Sequence, residues 1–135
     1  MDRHRCSLLA TFTLWSTCVG CTSEKAGTPE HAYRTFMIAE LSGDETAIRP
    51  LIIDHADAHV LWQRPYPADV AAAFTEQYET MDISRVGSDA NRVVLQSSAV
   101  PMSLSVVNTN GEWKVDAGPI IEIRKAVENS RLRSP

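Results

Sequence analysis

The chain has 135 residues, 13 of them basic and 17 acidic, for a net charge of −4. That length suits one small domain, and the charges form no basic stripe, which excludes a nucleic-acid surface. All three cysteines (Cys6, Cys18, Cys21) fall within the first 21 residues, so the remainder has no disulfide, no thiol nucleophile and no cysteine metal site.

Asp2, Arg3, His4 and Arg5 make a charged start, followed by an uncharged stretch from Cys6 to Ser23. A secretory signal needs a basic n-region, an apolar segment of roughly 7–15 residues and small residues at the cut. Leu8-Leu9-Ala10, Phe12, Leu14-Trp15 and Gly20 meet those demands. A conventional signal peptide cut nearby and an uncleaved anchor are the alternatives. An anchor fits poorly, because spanning takes about 20 strongly apolar residues. Here Ser7, Thr11, Thr13, Ser16, Thr17, Thr22 and Ser23 dilute the run.

Cys18-Val19-Gly20-Cys21 resembles the lipobox of bacterial lipoproteins, with Cys18 where Leu is commonest. The resemblance implies cleavage between Gly20 and Cys21, a diacylglycerol thioether on Cys21, and attachment to a membrane through the acylated N-terminus. Thr22, rather than Asp, follows the cysteine; by the sorting rule of such lipoproteins this implies the periplasmic face of an outer membrane. Residues 1–20 are then a signal peptide, 21–27 a polar tether, 28–130 the domain and 131–135 a frayed tail. The leader takes Arg3, Arg5 and Asp2, leaving 11 basic and 16 acidic residues and a net charge of about −5.

Thr28-Pro29-Glu30 reads as a helix start, with a hydroxyl N-cap, Pro at the first position and an acid in the first turn. Tyr33, Phe36, Met37 and Leu41 form its apolar face, and Gly43 stops it. Asp44 caps a second helix, with Ala47, Ile48, Leu51 and Ile52 inward and Pro50 kinking or shortening it. Asp54 to Trp62 reads as a turn and then a strand at Val60-Leu61-Trp62. A third helix opens at Tyr66-Pro67-Ala68-Asp69, with Val70, Phe74, Tyr78 and Met81 on one stripe.

The period then changes to two. Strands are predicted at 83–86, 92–97, 101–108 and 112–116. Met102, Leu104 and Val106 alternate with serines, and Asn110-Gly111 is the positive-φ dipeptide of a tight hairpin. Gly118-Pro119 breaks the last strand, and Ile120, Ile123 and Val127 define a C-terminal helix. Helices followed by an antiparallel meander make an α+β fold, with the helices on one face of a curved sheet.

Thr28 to Phe36, the Gly43-Asp44 step and Asn110-Gly111-Glu112-Trp113-Lys114-Val115-Asp116 resemble small bacterial lipoproteins of the nuclear-transport-factor-2-like superfamily, over about residues 28–118. The resemblance implies a cystatin-like cone, here with an extra C-terminal helix, and often a cavity between helices and sheet. It also implies that the sheet face is a place for a homodimer contact. Superfamily members include enzymes, small-molecule binders and interaction modules, so the fold alone selects no function.

Two constellations are candidates for chemistry. His55, Asp57 and His59 share a face if extended, and His55 and His59 are neighbours if helical, so two imidazoles and a carboxylate could take a divalent metal. A solvated turn would leave them apart. The likeness to ketosteroid-isomerase-like and SnoaL-like enzymes directs attention to Asp54, Asp57, Asp82, Tyr66 and Tyr78 as possible pocket residues, the carboxylates serving a small hydrolase or isomerase. None sits in a motif of those enzymes, and no catalytic residue or cofactor is assigned. Trp62 and Trp113 read as core and hairpin residues, and Arg34, Arg49, Arg64, Arg85 and Arg92 as solvated charge. The leading expectation is a lipid-anchored, non-catalytic domain that binds a small apolar ligand or an envelope protein.

Overall fold

A computed structural model describes residues 24–63 and 65–134. The leader, the cleavage site at Gly20, Cys21 and Pro135 lie outside those residues. The elements are α1 (Pro29–Ser42), α2 (Glu45–Ile48), a 3-10 turn (Arg49–Leu51), α3 (Val60–Gln63), α4 (Ala68–Thr80), β1 (Ile83–Ser88), β2 (Arg92–Ser97), β3 (Ser103–Thr109), β4 (Glu112–Val115) and α5 (Gly118–Arg133). The fold is α+β, with an open four-stranded antiparallel sheet in the order β1-β2-β3-β4.

Local chemistry sets the ends of α1. The Thr28 hydroxyl accepts from the His31 N–H at 3.2 Å, and Pro29 occupies the first turn. Gly43 ends the helix in the left-handed region, at φ 62°. Asp44 caps α2 by accepting from the Thr46 N–H at 3.0 Å. As Pro50 requires, α2 stops after four residues and passes into the 3-10 turn.

Register sorts the sheet into two faces. Val93 pairs with Val106, Leu95 with Leu104, and Val106 with Val115, which places all of them on one side. α1 covers that side, and its Tyr33, Phe36, Met37 and Leu41 join Ile48, Leu61 and Ile121 in the core. The opposite face carries Ser84, Gln96, Ser103, Ser105 and Lys114 around Val94 and Val107. At Asn110 (φ 55°) and Gly111 (φ 86°) both turn residues adopt positive φ, the geometry that suits a two-residue hairpin. The two sheet edges differ. Beside β4, Ile52 bridges Val115 in parallel fashion and the Ile53 N–H donates to the Val115 carbonyl at 3.0 Å. Among the described residues no strand pairs with the outer side of β1, and its pairing with β2 slips between Arg85 and Gly87.

Several expectations need correction. Val60-Leu61-Trp62 is not a strand but the start of α3. Its N–H groups are satisfied locally, Leu61 by Ala58 and Trp62 by His59, and the buried residues are Ala58 and Leu61, three apart. The β4 edge, the docking place for such a strand, is taken by Ile52 and Ile53. Ala47 points to solvent. In α4 the inward line runs through Ala71, Thr75 and Tyr78, so Phe74 is exposed. In α5, Ile121 is fully buried while Ile123 and Val127 are 48% and 45% exposed. Helix α5 continues through Arg133.

Candidate functional site

The space between helices and sheet is occupied by side chains. Tyr33, Phe36, Leu61, Leu95, Leu104, Val106, Val115 and Ile121 are all fully buried there. The Tyr33 hydroxyl donates to Ser97 Oγ at 3.3 Å, and the same oxygen accepts from the Val100 N–H. Desolvation raises the Tyr33 pKa despite that bond.

Two clefts open at the surface instead. One, of about 610 Å³, lies beside the β4 edge between Arg49, Pro50, Ile53, Asp54, Thr109 and Lys114. The other, of about 500 Å³, runs between α5 and the Pro65–Pro67 segment. Val60, Pro65, Tyr66, Ile123 and Val127 supply its apolar lining, and Arg124 and Lys125 its charge. Tyr66 stands against Phe74 (ring centroids 6.2 Å apart), and Phe74 stacks on Tyr78 at 5.8 Å. An aromatic row thus leads from the core to the second cleft.

The anticipated pocket residues do not meet. Asp54 borders the first cleft and Tyr66 the second. Tyr78 is a core residue, its hydroxyl pushed up to about 12, first by burial and then by the charge of Glu40. Asp82 follows the C-terminus of α4 while Tyr66 precedes its start, so a helix of 13 residues, about 20 Å, separates them. Asp57 takes Lys125 Nζ at 2.7 Å, and that hydrogen bond, then the lysine charge, holds its carboxyl below the usual range.

The segment His55–His59 is a turn, not an extended strand. His55 Nδ1 accepts from the Asp57 N–H at 3.1 Å, and its ring lies near the Gly118 start of α5. His59 is exposed. Among the described residues, no three His, Cys, Asp or Glu side chains are grouped to hold a metal.

Three further ion pairs join parts of the chain that no local sequence pattern connects. Glu40, only 3% exposed, pairs with Arg124 of α5. Burial raises its pKa, with the Arg124 charge and hydrogen bond opposing. The Arg124 guanidinium also lies 5.0 Å from the centre of the Tyr66 ring. Glu40 was detectable in principle, since it falls three residues after Met37 on the apolar face of α1. Arg34, expected to be solvated, is mostly buried. Its Nε and Nη2 donate to the Glu24 carboxylate at 2.9 and 2.6 Å, and Nη2 and Nη1 donate to the carbonyls of Met81 and Tyr78. It therefore also caps the C-terminal end of α4. No local pattern marks that role. Arg85, likewise expected to be solvated, bonds Glu30.

The chain matches no known family model, no curated protein and no solved structure.

Proposed function

We propose that this is a lipid-anchored, non-catalytic interaction domain of the bacterial cell envelope, held on the periplasmic face of an outer membrane through acylated Cys21. The observation that carries the interaction reading is an inversion of apolar placement. The interior is closed by packed side chains, while Ile123, Val127 and Tyr66 gather around one surface cleft. A contiguous apolar surface rimmed by charge is the usual mark of a protein contact. The exposed apolar side chains lie on this open cleft, which favours an envelope protein presenting an apolar segment as the partner.

The anchor rests on Cys18-Val19-Gly20-Cys21 and the leader before it. Kinship with the nuclear-transport-factor-2-like superfamily draws on helices preceding an antiparallel meander and on the closing Asn110–Asp116 hairpin. A hydrolase or isomerase would need a carboxylate in a shared pocket; Asp54 borders the cleft beside β4, Asp57 is bonded to Lys125, and Asp82 lies beyond the C-terminal end of α4. A homodimer through the sheet would use a face dominated by serines, Gln96 and Lys114.

Two measurements test the proposal. Cys21→Ala should abolish both acyl labelling and membrane retention; unchanged fractionation removes the anchor. A photo-crosslinking residue at Val127 should give a discrete adduct in intact cells, and one at Gln96 should not. An adduct from Gln96 alone would move the contact to the sheet.

A further inference from the structure

The Arg34–Glu24 pair fastens the chain to the folded domain three residues after Cys21. Both side chains are largely withdrawn from water, at 16% and 17% exposure, and the carboxylate is gripped through two guanidinium nitrogens. A bidentate, partly desolvated pair of this kind is stronger than an exposed one. The following residues are fixed too. The Thr28 hydroxyl and N–H both donate to the Lys25 carbonyl, at 2.8 and 3.3 Å, closing a turn into α1. Glu24, four residues before the helix cap, is thus already fastened to the folded domain. Only three residue steps separate Glu24 from Cys21, at most about 11 Å of fully extended chain.

Arg34 also binds the carbonyls of Tyr78 and Met81, so the same side chain that holds Glu24 holds the end of α4. The point of attachment therefore belongs to the rigid body of the domain at one pole, near Lys25, Glu79 and Asp82. The apolar cleft belongs to the other pole. It adjoins the C-terminal end of α1, where Gly43 lies against Pro65. The 13 residues of α4, which runs from the Pro67 side of the cleft to the carbonyls that Arg34 holds, put about 20 Å between these poles.

We infer that the Arg34–Glu24 clamp makes the lipid tether too short for free reorientation, so that the Glu24 pole faces the bilayer surface and the α5 cleft faces away from it. The clamp is a positioning device, and the surface it positions against is the lipid headgroup layer. This inference rests on acylation of Cys21. A longer slack tether would let the domain tumble and turn the cleft toward the membrane for part of the time; this one presents it outward continuously.

The full-length protein, acylated in cells and reconstituted in phosphatidylethanolamine–phosphatidylglycerol vesicles, allows a direct test. With Cys6 and Cys18 removed with the leader and Cys21 thioether-linked, a fluorophore on a Glu79→Cys or an Asn129→Cys variant is uniquely placed. Nitroxide-labelled lipid should quench the probe at 79 severalfold more than the probe at 129. Glu24→Ala combined with Thr28→Ala, which releases both side-chain fastenings and leaves Arg34 on the α4 carbonyls, should shrink that ratio toward one with acyl labelling and vesicle binding unchanged. Ten Gly/Ser residues inserted between Ser23 and Glu24 should do the same. Equal quenching at both positions in the acylated parent protein overturns the orientation while leaving the anchor intact. Loss of the acyl label from the parent overturns the anchor, and the inference with it.

Discussion

Glu40 and Arg124, 84 residues apart, form an ion pair that fastens the C-terminal helix to the first one. Glu40 has almost no contact with water, so its charge depends on this partner. Removing one member of a buried pair leaves the other uncompensated, at a typical cost of about 3–5 kcal/mol. Glu40→Ala should lose stability in that range, read by urea unfolding. Replacing both partners with apolar residues, as Glu40→Leu with Arg124→Met, should recover most of the loss. A double variant as unstable as the single one would mean that the pair contributes more than mutual neutralisation.

The face that α5 presents to the core can be tested by two isoleucines two positions apart. Ile121 is fully buried and Ile123 is about half exposed. Ile121→Ala should cost about 2–5 kcal/mol, as large-to-small core changes do. Ile123→Ala should leave stability within about 0.5 kcal/mol, as surface changes usually do. Comparable losses at both would require a different docking of the helix.

Gly43 is constrained twice. Its φ of 62° disfavours any side chain, and an added Cβ would come within 2.8 Å of Pro65 Cβ. The conformational cost alone is about 1–2 kcal/mol. Gly43→Ala should exceed it, because the backbone around Pro65 must also shift. A thermal midpoint unchanged from the parent would contradict this packing.

Acid should weaken the molecule through Glu30. Its carboxyl is held below the usual 4.5 mainly by the hydrogen bond from Arg85. A depressed folded pKa contributes stability that is present above 4.5 and lost as pH falls through the folded value. The stability gap between the parent and Glu30→Gln should therefore narrow from pH 7 toward pH 3. Glu40 has the opposite sign. Burial raises its pKa, so its contribution is fully present below 4.5 and lost as pH rises through the folded value. Urea midpoints of Glu30→Gln and Glu40→Gln across that range should thus diverge from the parent in opposite senses.

Where the signals were local, sequence reading located the elements. Thr28, Pro29 and Gly43 bound α1 because caps act within one turn, and Asn110-Gly111 set the final hairpin because few other residues tolerate those angles. Where a face had to be chosen, it erred. Helical spacing is satisfied equally by Val70, Phe74 and Tyr78 and by Ala71, Thr75 and Tyr78; only the position of α1 decides. In α5 the more apolar stripe was read as inward, yet the helix turns Ile121 and Arg124 toward the body. Arg124 goes in because Glu40 is there, and no pattern within either helix specifies its mate. The segment 54–59 forms the turn that the sequence suggested, and in a turn the alternation of His55, Asp57 and His59 does not bring their side chains to one face.

The slipped pairing of β1 bears on a hazard that anchoring would create. Proteins confined to a bilayer meet their own copies at high local concentration, and a regular uncovered strand is a template for cross-chain polymerisation. Here Ile52 and Ile53 shield one margin of the sheet. The other margin offers an interrupted ladder, with Arg85 and Gly87 flanking the break. A second molecule approaching that strand finds donors and acceptors out of step over its six residues. The irregularity thereby favours crowding without fibre growth.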